Sequence, residues 1–235
     1  AWVSSQGEGK YGRELGRQGQ VMERLAPVDK VLTARVCASN AEQFPDVMKQ
    51  YMPPPAKVLD MTYGKGVFWR NIEGGYSVTK NDIDPDRGTT HHDFTRLPSA
   101  WRERYDCVVL DPPYLGVGGI ETLDEDIDRG YKNRARAARD LAGISAVRRL
   151  YAGGIIEAYR VLRRSGILVI KTMDQVESGQ QNWLHVDLME MCRILGFKNE
   201  DLFVYVNKSH PTFRHEHQLH ARRNHSYWIV AKRRP

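Results

Sequence analysis

The sequence predicts an α/β domain with a mostly parallel β-sheet that closes on an antiparallel pair. Short runs rich in Val, Ile, Leu, Phe and Tyr alternate with segments of helical periodicity from residue 42 onward, and strands alternating with helices build parallel sheets. The last two β-favouring runs are joined by a His-rich stretch with no helical pattern, a link that suits antiparallel neighbours. A composition of 41% hydrophobic and 27% charged residues is that of a globular chain. Its 235 residues suffice for one domain, which would bury roughly three-quarters of its unfolded surface.

The elements follow in order. Residues 1–39 read as a polar, Gly-punctuated lead-in and a helix over 20–36 that Pro27 bends; the domain proper is expected over 40–235. A short helix over 42–51 stops at Pro53-Pro54-Pro55. Strands are expected over 57–60, 77–82, 105–111, 166–171, 202–207 and 226–232, and helices over 67–72, 144–163 and 183–195. Gly153-Gly154 argues against one unbroken helix over 144–163, and Gly166 is expected to cap its end. Residues 115–139 run from Gly-rich to acidic to basic straight after a strand, the pattern of a long functional loop.

Charge and cysteine content narrow the function classes. The net charge is +6, but the base is clustered. Ten Lys or Arg face two acids over 129–164, and seven, with five of the eight histidines, face Glu216 over 208–235. Such stretches suit a polyanion such as nucleic acid. Cys37, Cys107 and Cys192 are few, scattered and set among mostly apolar neighbours, which speaks against a disulfide framework and for a reducing, cytosolic setting. No apolar run reaches membrane-spanning length and no signal peptide is expected at the start, and a first residue of Ala1 rather than Met is compatible with a chain trimmed or cut from a longer one.

Three strand ends carry the candidate chemistry. Val58-Leu59-Asp60 leads into Gly64-x-Gly66, a tight turn that lets a ligand approach the backbone. Neither the full GxGxxG fingerprint nor a phosphate-binding P-loop is present. The next strand ends at Asn81-Asp82-Ile83-Asp84, where an acid can accept both hydroxyls of a ribose. Asp82 is the choice, with Asp84 as the alternative register. Asp93 falls at the following turn, as a ligand contact or a helix N-cap. Most specific is Val108-Val109-Leu110-Asp111-Pro112-Pro113-Tyr114: a buried strand delivers a carboxylate, carbonyls fixed by proline and an aromatic ring. That set fits a planar group bearing an exocyclic amine.

With these motifs the chain resembles the amino-methyltransferases that modify adenine N6 or cytosine N4 with S-adenosylmethionine. The resemblance runs from about Asn40 to Lys232 and implies the class I methyltransferase Rossmann-like fold, a seven-stranded sheet ending in an antiparallel hairpin. It implies cofactor contacts at Phe44 (methionine end), Asp60, Thr62, Gly64 and Gly66 (the turn), Asp82 (ribose) and Asp93 (adenine). Asp111, Pro112, Pro113 and Tyr114 would form the catalytic turn: Asp111 and the Pro112 carbonyl accept the two amine N–H groups, and Tyr114 stacks on an extruded base. The sequence departs from the family at Met61-Thr62-Tyr63, where Pro-Phe-x is common. About fifty residues separate the two motifs, too few for a target-recognition domain. Specificity then falls to the 115–140 loop, the basic 208–225 segment, a partner or a missing region.

The expected activity is adenine-N6 methylation of DNA, with double-stranded DNA as partner. Base-amine methylation of tRNA or rRNA, cytosine-N4 methylation and a non-catalytic binding subunit are the alternatives. Arg214, His217, Arg222 and Arg223 are assigned to phosphate contact, and the His215-x-His217-x-x-His220 spacing is not read as a metal site for want of a nearby cysteine. Lys171-Thr172-Met173-Asp174 either lines the base pocket or simply ends its strand. Trp69, Trp101, Trp183 and Trp228 are read as core or half-buried, and Cys107 as buried and unreactive.

Overall fold

A computed structural model describes residues 31–113, 143–208, 220–221 and 223–235. Among them nine strands form: β1 (Ala34–Cys37), β2 (Ala56–Asp60), β3 (Tyr76–Lys80), β4 (Tyr105–Leu110), β5 (Leu162–Thr172), β6 (Gln175–Glu177), β7 (Gln180–Asn182), β8 (Phe197–Asn207) and β9 (His225–Arg233). The α-helices are α1 (Asn40–Tyr51), α2 (Gly143–Val161) and α3 (Leu184–Ile194). Seven strands make one sheet in the order β1-β8-β9-β5-β4-β2-β3, and only β9 runs antiparallel to its neighbours. The α/β class, the parallel sheet and the closing antiparallel pair are therefore as the sequence predicts.

The central strands are apolar on both faces because both are covered. Leu59, Val108, Leu110, Leu168, Ile170 and Ile229 face a core shared with Tyr151, Ile155 and Ala158 of α2 and Leu184 and Leu188 of α3. On the other face Phe44 of α1 packs against Phe68, Trp69 and Trp228, with ring centroids 5.2–5.3 Å away. No helix among the described residues is long and apolar enough to cross a membrane.

Several local expectations are corrected. The helix expected up to Val36 gives way to β1, which pairs in parallel with β8, so the sheet takes in residues before position 40. Residues 67–72 make a single 3-10 turn, Val67–Asn71, rather than an α-helix. Helix α2 is unbroken through Gly153-Gly154, whose missing side chains are a packing requirement. A Cβ at Gly154 would come within 2.9 Å of Leu110, and one at Gly153 within 2.9 Å of Thr95. Helix α2 ends at Val161, and the left-handed residue that follows, inside β5, is Ser165 (φ 61°), not Gly166. Gly166 is needed because a Cβ there would press on the carbonyls of Arg163 and Asp106 at 2.9 and 3.1 Å. The β6–β7 hairpin, rich in Gln and poor in branched residues, carries no strand signal in the sequence.

Candidate active site

In parallel strands the C-terminal ends collect at one sheet edge, and ligands bind where the winding direction reverses. Here the chain passes from β2 outward to β3 and then to β4 on the far side of β2. The switch point therefore lies between the turn after Asp60 and the turn that begins at Asp111.

Asp60 is buried and serves that turn from within. Its Oδ1 accepts the Thr62 N–H at 3.1 Å and its Oδ2 the Trp69 indole N–H at 2.7 Å. Burial raises its carboxyl to about 6, helped by repulsion from Asp82 and opposed by those two hydrogen bonds. Gly64 and Gly66 are both left-handed, at φ 55° and 65°. Beside Gly64 the space is open, with Thr62 O the nearest atom at 3.9 Å from where a Cβ would sit. Above Gly66 the Tyr63 ring fills that space. A cavity of about 350 Å³, lined by Tyr63, Gly64, Lys65, Asp84, Asp86, Arg87 and Gly88, opens next to the turn.

Asp82 is buried against the same turn: Oδ2 accepts the Gly64 N–H at 2.8 Å and Oδ1 the Asp84 N–H at 3.0 Å. Asp84 is occupied with Arg87, 3.3 Å away, and with the Asp86 N–H. Asp93 is half-buried and closes its own turn, taking the Thr95 N–H and hydroxyl at 2.8 and 2.7 Å.

The residue that joins these turns is Asn81, absent from the sequence-based assignments. Fully buried, it donates to the carbonyls of Met61 and His92 and accepts from the His92 N–H and the Thr90 hydroxyl, all within 3.1 Å. Its place beside Asp82 is the only signal in the sequence, because its partners come from two other segments, the turn at Met61 and residues 90–92.

Phe44 is corrected from a cofactor contact to a core residue. Its ring is 0% exposed inside the aromatic cluster, so it has no surface left for a ligand. The exposed tryptophan is a second correction. Trp69 is half-buried and Trp101 and Trp228 are buried, whereas Trp183 is 56% exposed where α3 begins.

At β4 the Asp111 N–H donates to Thr62 Oγ1 at 2.7 Å, across the switch point. Pro112 behind it is buried and Pro113 half-buried. Beside them on β5, Lys171 is buried to 1% exposure. Its Nζ donates to Ser226 Oγ at 2.7 Å and lies 4.6 and 4.5 Å from the Tyr205 and Trp228 ring centroids. Burial pulls its ammonium down to about 7, with the Asp111 carboxylate and Cys37 opposing.

Further along, buried Asp174 accepts the His185 Nδ1 contact at 2.7 Å and the Tyr227 hydroxyl at 3.3 Å. The His185 and Tyr227 rings stack at 4.2 Å. Thus 171–174 is a polar cluster at the strand ends. Arg223 is half-buried, with its charge felt at Tyr227. His220 reaches the Gly179 carbonyl at 2.8 Å, tying the basic segment to the β6–β7 turn. Tyr114, Arg214, His217, Arg222 and the 115–139 loop lie outside the described residues. Cys107 is buried and its thiol is raised by burial.

No protein-family model matches the chain, and no curated protein matches it. Solved structures do. A Bacillus halodurans protein assigned as a methyltransferase is 14% identical, with a TM-score of 0.53 over 83% of this chain and 100% of that one. A Methanosarcina mazei S-adenosylmethionine-dependent methyltransferase is 12% identical, with a TM-score of 0.50 over 80% and 97%. A Thermus thermophilus protein assigned as a DNA modification methylase is 22% identical over 60% of this chain (TM-score 0.36), and the chain spans about half of that protein's length, 49%. The chain has the α/β fold of the S-adenosylmethionine-dependent methyltransferases.

Proposed function

We propose that this chain transfers a methyl group from S-adenosylmethionine to the exocyclic N6 amine of adenine in DNA. The observation that carries the reading is the tether between Thr62 and Asp111, which holds the Asp-Pro-Pro turn against the glycine turn at the switch point. A site for two substrates needs its two halves held in register.

The residues present fit the cofactor. Gly64 leaves open space beside a left-handed backbone. Asp82 spends one hydrogen bond per oxygen on the turn, so its remaining lone pairs can take hydroxyl donors. The Methanosarcina neighbour's dependence on the same cofactor supports the assignment. When bound, S-adenosylmethionine supplies a methyl group on a sulfonium sulfur.

The chain's own residues handle the acceptor. The adenine amine is a weak nucleophile because its lone pair is delocalised into the ring. Asp111 and the Pro112 carbonyl accept its two N–H groups, which turns the lone pair toward the methyl group. Catalysis is orientation together with stabilisation of developing positive charge. Tyr114 stacks on the base, which leaves the duplex to reach the site. Arg214, His217, Arg222 and Arg223 hold the phosphates. Sequence specificity falls to the 115–140 loop, the basic segment or a partner.

Methyl-labelled S-adenosylmethionine incubated with unmodified duplex DNA or total RNA, followed by nucleoside mass analysis, tests this. Label is expected as N6-methyladenine in DNA. Label in RNA, or at cytosine N4, would replace the substrate, and absence of cofactor binding would overturn the enzyme reading.

A further inference from the structure

Lys171 has no role in the reaction as described, yet it is buried to 1% exposure at the site. It stands in a run of apolar neighbours, Ile167-Leu168-Val169-Ile170, where a leucine would bury at no electrostatic cost. Burying an ammonium is unfavourable unless it is compensated, and apolar replacements of buried ion pairs are often neutral or stabilising. Stability therefore gives no reason for a lysine here.

The register places it. Leu110, the last residue of β4, pairs with Ile170 of β5, which brings Asp111, the residue just past β4, alongside Lys171 of β5. Leu110 and Ile170 face the α2–α3 core, and successive side chains alternate, so Asp111 and Lys171 share the opposite face. We infer that Lys171 is a positioning residue that takes up, through Asp111, the proton released by the methylated amine. This rests on the reading of Asp111 as the amine acceptor.

The reaction leaves one proton to be taken up. The amine lone pair forms the new N–C bond as the methyl–sulfur bond breaks, leaving a neutral thioether and a cationic amine. One amine N–H bond then breaks toward the Asp111 carboxylate. The proton passes on to the Lys171 nitrogen lone pair, which restores the carboxylate and makes an ammonium. That ammonium sits between the Tyr205 and Trp228 rings and donates to Ser226 Oγ, surroundings that hold a buried cation. The groups facing Lys171 are Asp111 from the turn after β4, Cys37 from β1, Tyr205 from β8 and Ser226 and Trp228 from β9. The Tyr151 hydroxyl of α2 donates to the Lys171 backbone carbonyl. An acceptor near neutrality suits this role.

Lys171→Met is the test, read in single turnovers from pH 6 to 9, by cofactor calorimetry and by denaturant unfolding. The wild type is expected to speed up as pH rises through neutrality. The variant should lose that rise and run roughly tenfold slower at pH 8 or more, with cofactor affinity within about threefold and stability undiminished. An unchanged rate and pH profile, or loss of cofactor binding in step with rate, overturns the inference. Should Lys171→Met fail to fold, Ser226→Ala removes an acceptor that favours the charged amine. The rise should then move to lower pH, and an unmoved rise overturns the inference. If the wild type methylates nothing, the reading of the function fails first, and unfolding still tests Lys171. A lysine held near 7 in the fold and at its ordinary 10.5 in the unfolded chain makes stability increase with pH between those values. That slope, lost in Lys171→Met, supports an acceptor poised to take a proton, and a flat curve overturns it.

Discussion

Thr62 Oγ1 accepts the backbone N–H of Asp111 at 2.7 Å, so the turn after β2 sets the main-chain position at the end of β4. Thr62→Val keeps the shape and removes the acceptor. Unfolding should show a loss of about 1 kcal/mol, the usual net worth of such a bond. Methyl transfer should fall by roughly tenfold as Asp111 drifts from register. Thr62→Ser should restore both.

Asp111→Ala should abolish transfer while leaving cofactor affinity within a few-fold, because the carboxylate is assigned to the acceptor amine. Losing an acceptor aimed at developing charge costs on the order of a hundredfold or more in rate. Calorimetry and single-turnover rates measured on the same preparation separate the two effects, and equal loss of both would remove the role.

The two turn glycines should respond differently. Gly64→Ala adds a methyl into open space, so its cost in stability is the left-handed backbone alone, about 1 kcal/mol. Its cofactor affinity should fall far more than its stability, since the methyl occupies the open side of the turn. Gly66→Val must also displace the Tyr63 ring, so unfolding should show the larger loss there. Calorimetry beside unfolding measures both.

Asp60 gives a pH signature. Its carboxyl is raised from 3.8 to about 6 in the fold, chiefly by burial, so the folded state binds this proton more tightly than the unfolded chain. Its contribution must therefore decline as pH rises from about 4 to about 6 and stay fully unfavourable above that. The difference in unfolding free energy between wild type and Asp60→Asn, followed across that window, should show the decline.

Much of this architecture is legible along the chain because it depends on neighbours in sequence. Runs such as Val108-Val109-Leu110 declare a buried strand, and the acid, glycine or proline that follows declares its C-terminal turn. Asp60, Asp82 and Asp111 are found this way, and all three lie at one sheet edge. The misreadings share a different cause. Gly153 and Gly154 look like helix breakers until Leu110 and Thr95 press against them. Phe44 looks like a ligand contact until Phe68 and Trp228 enclose it, and Trp183 looks like core until it is left exposed.

The sequence alone determined the α/β class, the strand ends that carry the candidate site residues and their polar residue types, since hydrophobic period and turn chemistry are local properties. Tertiary structure alone decided which of those residues meet. Asn81 binds three turns together, Thr62 grips Asp111, and Lys171 is buried beside Asp111 between two rings. Each contact joins segments far apart in the chain, and strand order and register create such contacts. Burial then sets their strength, because a charge or hydrogen bond removed from water no longer competes with it.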